Sequence, residues 1–375
     1  MKTTTHTATP TTTPATTPTP SHTTTPTTSH TTTPTPTGAT SRVRSARMTA
    51  IVQQRYGDAD ALELRELPRP ELGEHDVLVR VDAAGVDRGV WHLMTGRPYL
   101  TRLAFGLRRP RNPVPGLDVA GVVDTVGAKV TRFAEGDLVF GHGHGTFAEY
   151  ARASEDCLAA VPANLDMTAA GVLAVTGTTA LQAVEDHGGV RPGDQVLVLG
   201  ASGGVGTYAV QIAVALDGIV TGVASAGKLE LVRRLGAHRV IDYRTADPLA
   251  EPSRYDVIID TGGNRSIRDL RRALTPSGTL VIVGGENGGR WVGGADRQIR
   301  AKVASLFSRR RLTTFVARED SSHLERLADL VETGDVVPVV DRVFPLAAAA
   351  DAIVRLEQGA ASGKIAITVA PAERG

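Results

Sequence analysis

In the second half of the chain, the spacing of apolar residues predicts strands that alternate with helices. The apolar run VLVL (196–199) is followed by a glycine-rich segment (200–206) and then by apolar residues at helical spacing. Five further apolar runs fit strands at 218–225, 238–243, 255–263, 278–285 and 311–317, and 226–237 fits a helix. Regular alternation of this kind predicts a doubly wound parallel sheet.

The first half of the chain has a different pattern. Short apolar runs alternate with Gly, Pro and Asp turns, as in LELRELPRPELGEHDVLVRV. This pattern predicts a β-rich, partly barrel-like domain. We therefore expect an α/β chain with a β-rich domain at 48–172, a doubly wound domain at 173–318, and a return of 319–372 to the first domain.

The first 40 residues hold 22 threonines and seven prolines. Such a composition has almost no apolar surface to bury, so we expect residues 1–47 to be a disordered tail. Its lack of acidic residues is typical of a transit peptide, but proline every few residues and few arginines disfavour the amphipathic helix of such a peptide. A solvated tail or an upstream start codon chosen in error is the better explanation. The tail lacks an apolar run of signal-peptide length, and a strand-like pattern begins at Met48, where we expect the folded protein to start.

Charge and cysteine content exclude several classes of protein. The chain has 41 basic and 40 acidic residues, and without the four basic residues of the tail the remainder has 37 and 40. Broad electrostatic binding of nucleic acid needs a basic face, so we expect none. The single cysteine, Cys157, excludes an internal disulfide and suits a reducing cytoplasm. We expect it to be a small buried residue rather than a nucleophile.

The segment GASGGVG between strand and helix predicts a dinucleotide site. Gly203 would let the backbone approach a pyrophosphate, and Gly206 would let the helix pack closely on the strand. The helix N-terminus would offer free N–H groups and a partial positive charge to phosphate. The predicted cofactor-binding residues of this turn are Gly200, Ala201, Ser202, Gly203, Gly204, Val205 and Gly206.

The end of the second strand indicates which nucleotide is bound. Proteins that bind NAD usually place Asp or Glu there, to hold the ribose 2′-hydroxyl. Here the strand ends in Ala224 and Ser225, and Lys228 follows. A hydroxyl and a lysine suit a 2′-phosphate, so we predict NADP(H) with contacts from Ser225 and Lys228. Tyr243, after the third strand, is a further candidate beside the adenine ribose.

Two histidines one residue apart, His142 and His144, raise the question of a metal site. Residues at this spacing can face the same side of a strand. A site would need a third and usually a fourth ligand, and His92 is the other histidine in this half with a reason to be nearby. We expect no metal, and we expect His142 and His144 to be surface or cleft-lining residues.

The motif PGLDVAGVVDTVGAKV (115–130), together with GASGGVG, resembles the medium-chain dehydrogenase/reductase superfamily. The matching positions are Gly116, Gly121, Gly127 and Val130, and the resemblance covers essentially all of 48–370. It implies a Rossmann domain for the nucleotide and a GroES-like domain for catalysis.

The resemblance also bears on metal. Zinc alcohol dehydrogenases of this superfamily carry Gly-His-Glu where this chain has Gly116, Leu117 and Asp118. Leucine cannot bind zinc, so the chain looks like the zinc-independent quinone oxidoreductase branch. Members of the family are commonly dimers, which implies a homodimer here.

Related proteins line the acceptor site with the segment matching 85–100. They usually have Asn and then Asp where this chain has Asp87 and Val90. We expect Asp87 near the nicotinamide or acceptor, Trp91 and Tyr99 on either side of a flat ring, and His92 or Tyr99 as proton donor.

Other family contacts carry over position by position. Thr179 resembles a threonine near the cofactor, and Gly284 and Gly285 would pass the nicotinamide. Trp291 would cap the cleft. Lys364 resembles a lysine that reaches the cofactor phosphates.

The expected function is therefore NADPH-dependent hydride transfer to a quinone or an α,β-unsaturated carbonyl, in the cytoplasm and without a membrane partner. An enoyl-thioester reductase is one alternative, which would use Arg108, Arg109 and Arg111 at a basic entrance. A non-catalytic NADPH-binding protein of the same fold is another.

Overall fold

The computed structural model describes residues 47–263, 265–284 and 310–369. The strands are β1 Arg47–Val52, β2 Glu63–Pro68, β3 Asp76–Val86, β4 Asp118–Val126, β5 Leu138–His142, β6 Tyr150–Ser154, β7 Leu158–Ala160, β8 Gln195–Leu199, β9 Ile219–Ala224, β10 Arg239–Asp242, β11 Tyr255–Asp260, β12 Leu274–Ile282, β13 Arg311–Thr314, β14 Val340–Pro345 and β15 Lys364–Thr368. Residues 1–46 of the predicted disordered tail, Gly285 and Trp291 lie outside the described residues, whereas Arg47, the last residue of the predicted tail, is the first residue of β1.

Short helices connect these strands and cover the sheets. They are α1 Arg88–Thr95, α2 Arg102–Phe105, α3 Met167–Ala170, α4 Ala174–Leu181, α5 Gly204–Ala215, α6 Leu229–Arg234, α7 Ile267–Ala273, α8 Ser321–Glu332 and α9 Ala349–Glu357. A π-helical segment, Gln182–Gly188, continues α4. None of the described helices has the length and apolar character needed to cross a bilayer.

The parallel sheet has the strand order β10-β9-β8-β11-β12-β13. Its central strand β8 reads QVLVL and is buried from Val196 to Leu199, as expected when helices cover both faces of a strand. Neighbouring strands pair in parallel throughout, for example Val198 with Gly222 on one side and with Ile259 on the other. The predicted doubly wound sheet is confirmed.

The other large sheet has the order β14-β15-β3-β4-β5-β7, with β6 paired to β3. Strand β3 is its long central member and pairs antiparallel with β4, β6 and β15. A small two-stranded sheet, β1 with β2, lies against it through a hydrogen bond from Ile51 N to Phe147 O. The predicted β-rich fold is therefore present.

The last strand brings the C-terminal segment to both sheets. In β15, Ile367 pairs with Ala84 of β3. Immediately before β15, Gly363 N donates a 2.9 Å hydrogen bond to Ser202 O in the glycine turn. The end of the chain thus holds the glycine turn beside the antiparallel sheet.

Helix α8 shows how side-chain spacing selects a buried face. Leu324, Leu327 and Leu330 recur at helical spacing and are buried. The helix begins at Asp320, whose side chain accepts a hydrogen bond from His323 N. Apolar burial and this N-cap together fix α8 against the rest of the fold.

Candidate active site

The glycine turn lies between β8 and α5, at the carboxyl edge of the parallel sheet. Gly200 has a φ of 78°, a left-handed conformation that glycine adopts without strain. At Gly206 a Cβ atom would lie 2.1 Å from the Gly200 carbonyl oxygen. Only glycine therefore allows α5 to approach the end of β8 this closely.

Gly203 forms the N-cap of α5, and no side chain caps the helix there. Of the described residues, only Gly200 would have an atom within 4 Å of a Cβ at this position, at 3.3 Å. Apart from its neighbours in the chain, no other described residue crowds this position at the start of the helix. Free N–H groups and the positive end of the helix dipole suit an anion, so a dinucleotide pyrophosphate fits this turn.

Three other residues of the turn serve its structure. Ala201 is buried, and its N–H donates to Val223 O of β9 at 3.0 Å. The Ser202 carbonyl accepts from Gly363 N. Val205 packs, partly buried, against the apolar core of the parallel sheet. These contacts hold the turn in place from two sides.

Sequence analysis overlooked Thr176. Its hydroxyl is buried and has no partner among the described residues. Its methyl group lies 3.5 Å from the position that a Cβ would take at Gly204, the first residue of α5. The Thr179 hydroxyl, by contrast, donates to Val175 O at 2.6 Å. Thr176 in VTGTT was the residue nearer to the turn, and its unpaired hydroxyl fits a cofactor contact.

The ends of the neighbouring strands bound the same crevice. Thr261, just after β11, donates its hydroxyl to Leu199 O at 2.7 Å. At Gly284 a Cβ would lie 2.5 Å from Thr261 O, so a side chain there would collide with the backbone. Asp260, the last residue of β11, is fully buried, and its side chain accepts a hydrogen bond from Gly263 N.

The residues predicted to select the nucleotide lie at the ends of β9 and β10. Ser225 is half-buried, and Tyr243 is 49% exposed. Lys228 Nζ donates to the carbonyl oxygens of Ala361 at 2.6 Å and Gly359 at 3.2 Å. Partial burial lowers the pKa of Lys228. Its ammonium is thus engaged, and its contact with a 2′-phosphate stays a prediction.

Lys364 is the centre of a buried cluster of charges. Its Nζ lies 2.9 Å from Asp118 Oδ2 and 3.8 Å from Asp87 Oδ2, and the three side chains are 1%, 0% and 4% exposed. Asp118 Oδ1 also accepts from Val175 N at 2.6 Å. Two buried carboxylates need a counter-charge, which explains why the ammonium turns to them. The predicted contact of Lys364 with cofactor phosphate stays a prediction.

Asp87 joins this cluster to helix α1. Its Oδ1 accepts from Val90 N at 3.0 Å and caps the helix, while its Oδ2 has no hydrogen-bond partner in the part of the chain that the structure describes. Burial raises the pKa of Asp87, and the charge of Lys364 opposes that rise. The structure therefore uses Asp87 to fix the start of α1 and does not place it on the wall of the cavity described next.

A cavity of about 640 Å³ lies beside α1. Its walls are mainly apolar, with His92, Arg111, His144 and Glu319 as the charged or ionisable residues. Six of its lining residues are Val90, His92, Met94, Phe105, Leu117 and Glu319. Such a volume and lining suit a small, largely apolar ligand, so we call it the acceptor cavity.

His92 is the predicted catalytic residue that reaches the acceptor cavity. Its Nδ1 lies 2.8 Å from Arg97 O. A carbonyl oxygen only accepts, so Nδ1 carries the hydrogen. This backbone contact fixes the orientation of the His92 ring at the wall of the acceptor cavity.

Trp91 and Tyr99 do not line the acceptor cavity. The Trp91 indole N–H donates to Glu357 Oε1 at 2.7 Å, on α9. The Arg102 guanidinium lies 4.6 Å from the Tyr99 ring centroid. The structure therefore does not bring these two rings to the cavity that holds His92, because each packs against another element.

The two closely spaced histidines have different surroundings. His144 is exposed and lines the acceptor cavity, as predicted. His142 is buried, with Nε2 3.4 Å from the Thr178 hydroxyl oxygen, so of its two predicted positions the one at the surface is wrong. Burial lowers the pKa of His142. Within 47–263, 265–284 and 310–369, no three His, Cys, Asp or Glu side chains form a metal-binding group.

Cys157 also differs from expectation. It is half-buried rather than buried, and its thiol donates to Glu319 O at 3.1 Å. Burial raises the pKa of this thiol, which keeps it protonated. A contact between the β-rich part and the segment before α8 thus takes the place of the expected apolar packing.

Two family models match the chain. Residues 73–163 match the alcohol dehydrogenase GroES-like domain, and residues 235–367 match the model described as zinc-binding dehydrogenase. The second description names a metal, whereas position 117 here is leucine in place of a zinc ligand.

Known proteins resemble the chain over most of its length. The chloroplast envelope quinone oxidoreductase homolog of Arabidopsis thaliana is 31% identical, covering 85% of this chain and 98% of the relative. The chloroplastic NADPH-dependent alkenal/one oxidoreductase of the same plant is 33% identical, covering 86% and 80%. A solved NAD-dependent alcohol dehydrogenase is 30% identical with a TM-score of 0.73, covering 86% and 100%.

The fold, the glycine turn and these relatives agree. The parallel sheet carries a dinucleotide turn, and an apolar cavity lies beside α1. The chain belongs to the medium-chain dehydrogenase/reductase superfamily, in its quinone oxidoreductase branch, and is a pyridine-nucleotide-dependent oxidoreductase.

Proposed function

We propose that the chain uses NADPH to reduce quinones or α,β-unsaturated carbonyls without a metal ion. The observation that carries this proposal is Leu117 on the wall of the acceptor cavity. A zinc ion would polarise a carbonyl as a Lewis acid, and leucine cannot hold one there. The acceptors must therefore already be electron-poor, as quinones and enones are.

The side chains of the site orient the reactants and exclude water. A bound nicotinamide supplies the hydride. The open N-terminus of α5 at Gly203 and the Thr176 hydroxyl would hold the cofactor. Val90 and Met94 give the acceptor a dry wall. His92 lies on the same wall, and solvent would supply the proton that completes the reduction.

The preference for NADPH rests on the end of β9. Ala224 and Ser225 stand where NAD-binding proteins usually carry an acidic residue, and Lys228 lies close behind. One relative is named for NADPH and a solved neighbour for NAD. These names do not agree on one cofactor, so the proposed preference for NADPH rests on the residues of this chain.

Binding and turnover of the full chain test the proposal. We expect tight NADPH binding by nicotinamide fluorescence, much weaker NADH binding, and oxidation of NADPH by a quinone or an enone that a chelator leaves unchanged. Lys228→Ala should weaken NADPH far more than NADH, whereas Lys129→Ala, which removes a surface partner of Glu74, should change neither.

Other outcomes would redirect the proposal. Tight NADPH binding without oxidation by any acceptor would support the non-catalytic alternative. Loss of activity with chelator would contradict the metal-free reaction. Equal weakening of NADPH and NADH by Lys228→Ala would contradict a contact between this lysine and the 2′-phosphate.

The remaining expectations are also proposals. We propose domains at 48–172, 173–318 and 319–372, a homodimer, and a cytoplasmic location. The resemblance supports the dimer, and the single cysteine suits a reducing compartment. Sedimentation of the purified full chain would test the dimer directly.

A further inference from the structure

One residue of the acceptor cavity has a buried polar atom without a partner among the described residues. Eight side chains in the described part of the chain have such an atom, and Gln53 is the one of the eight that also lines this cavity. The residue is only 3% exposed, and its Oε1 accepts no hydrogen bond from any described residue. A buried acceptor without a donor is unfavourable, so this oxygen is a candidate contact for a ligand.

Two other segments of the chain fix the position of Gln53. Its backbone N donates to Pro113 O at 2.8 Å, and its side-chain Nε2 donates to Met94 O on α1 at 3.3 Å. A carbonyl oxygen only accepts, so the NH2 group of the amide must face Met94 O. The unpaired atom that this amide offers to a ligand is therefore a hydrogen-bond acceptor.

Gln53 also lies where the acceptor cavity meets a second cavity, of about 770 Å³. The two cavities share Gln53, Pro110 and Arg111 as lining residues. Of these three residues, Gln53 alone is buried. A ligand whose ring fills the acceptor cavity can thus direct a substituent along Gln53 towards the second cavity.

The reacting groups of quinones and enones do not satisfy Gln53 Oε1. Their carbonyl oxygens accept hydrogen bonds and cannot donate them. Such an oxygen beside Oε1 would bring two acceptors together in a cavity that Val90 and Met94 help to keep dry. A hydroxyl group, in contrast, donates, and a buried site with an unpaired acceptor favours the ligand that supplies the donor.

We infer that Gln53 selects the acceptor, and that the preferred acceptors are quinones or enones that carry a hydroxyl group on a substituent. The inference rests on the proposed function. The hydroxyl group donates to Gln53 Oε1, which turns the reacting carbonyl away from this end of the cavity. Gln53 takes no part in the transfer of hydride or proton, so it acts by positioning the acceptor.

The test compares two acceptors that differ by one hydroxyl group. They are the same naphthoquinone with either a hydroxymethyl or an ethyl group at the same ring carbon, so their numbers of heavy atoms are equal. For each compound, kcat/KM is measured with NADPH and the full chain. The wild-type protein should prefer the hydroxymethyl compound by about tenfold, because the ethyl compound leaves the buried oxygen without a donor.

The variant Gln53→Met keeps the length of the side chain and removes the accepting oxygen. It should lose most of the preference through a lower kcat/KM for the hydroxymethyl compound, while the ethyl compound reacts as well as before. A purely structural role of Gln53 would lower kcat/KM for both compounds alike and leave their ratio unchanged. Because the comparison of ratios cancels any intrinsic difference in reactivity, equal ratios in the wild type and in Gln53→Met would overturn the inference.

The neighbouring Gln54 provides a matched control. It is exposed and lines the second cavity but not the acceptor cavity, so Gln54→Met should keep the wild-type ratio. If Gln54→Met lost the preference to the same extent, the effect would belong to this segment in general, and the inference would be wrong.

Binding of unreactive analogues separates this inference from the proposed function. Naphthalene with the same hydroxymethyl or ethyl group cannot accept a hydride, and calorimetry gives its Kd for the full chain. If neither quinone is reduced, the proposed function fails, but tighter binding of the hydroxymethyl analogue still supports the role of Gln53, whereas equal binding overturns it. This comparison needs only the wild-type protein, so it also decides the matter if Gln53→Met does not fold. Reduction of both quinones at equal kcat/KM in the wild type and in Gln53→Met would leave the proposed function standing and overturn the inference alone.

Discussion

The cofactor turn and the acceptor cavity are built in different ways. The turn is a run of seven consecutive residues, 200–206, whose shape follows from the backbone of its glycines. The acceptor cavity takes its walls from segments as far apart as Gln53, α1, Leu117 and Glu319. A single added Cβ atom can therefore disrupt the turn, whereas the shape of the cavity depends on contacts between segments that are far apart in the sequence.

Lys364 lies between the two regions, with its Cδ 3.2 Å from the position of a Cβ at Gly204 and its Nζ facing Asp87 before α1. Its loss should have the largest effect. Lys364→Met keeps most of the side-chain volume but leaves Asp118 and Asp87 without a counter-charge. We expect the free energy of unfolding to fall by about 3–5 kcal/mol, because an uncompensated buried charge remains. Urea unfolding of the full chain measures this.

Two further variants sharpen that result. Lys364→Met/Asp118→Asn removes one orphaned carboxylate and should recover part of the loss. Lys129→Met breaks only an exposed pair with Glu74 and should cost less than about 1 kcal/mol. A similar small cost for Lys364→Met would show that the two regions are held together by other contacts.

Two glycines of the turn offer the next largest contrast. Gly206→Ala places a Cβ against the Gly200 oxygen and should cost about 2 kcal/mol through overpacking. Gly203 has extended backbone angles and open space, so Gly203→Ala should cost less than about 1 kcal/mol while weakening NADPH binding by tenfold or more. Thermal unfolding and fluorescence titration separate stability from binding, and equal stability losses would contradict the difference in packing.

In the acceptor cavity, replacing one side chain should have a smaller effect. A positioned general acid typically contributes about a hundredfold or more to a rate. In the proposed reaction solvent supplies the proton instead, so His92→Gln should lower kcat/KM for a quinone by less than about tenfold. Tyr99→Phe, outside the cavity, serves as the control. A hundredfold loss in His92→Gln alone would assign the proton transfer to this histidine.

The smallest expected effect lies where α8 begins, next to Glu319 of the acceptor cavity. Partial burial disfavours charge on His323, but hydrogen bonds to Asp186 and Asp320 outweigh it and raise its pKa above 6.5. Partial burial also opposes ionisation of Asp320, yet hydrogen bonds from Ser322 and His323 lower its pKa to about 2. Asp320 is therefore charged throughout the neutral range.

A raised histidine pKa stabilises the fold fully below the unfolded value and progressively less as pH rises through the folded value. Raising the pH from 6 to 8 should thus reduce stability by less than about 1 kcal/mol. His323→Gln should abolish this pH-dependent part, as followed by urea unfolding at each pH. An unchanged slope in the variant would assign it to other groups.

The same contrast explains what the sequence could predict. The strands around VLVL and the turn GASGGVG depend on local patterns, so their positions were predicted within a few residues. The parallel order of strands followed from their alternation with helices. These features need no knowledge of distant contacts.

Other site residues depended on contacts that local patterns do not encode. Trp91 has a helical position but packs on Glu357, far along the chain. Lys364 faces two carboxylates that lie 246 and more residues before it. The unpaired hydroxyl of Thr176 is evident only from its surroundings. Side-chain direction was thus the part that sequence reasoning could not supply.

The pairing of Gly363 with Ser202 has a consequence for synthesis of the chain. The glycine turn and the described strands of the parallel sheet precede residue 315, whereas Gly363, which secures the turn, follows all of them. A nascent chain on the ribosome therefore lacks a finished nucleotide site until translation has passed Gly363. Premature termination even shortly before β15 would yield a protein without its final fastening, however complete its sheet.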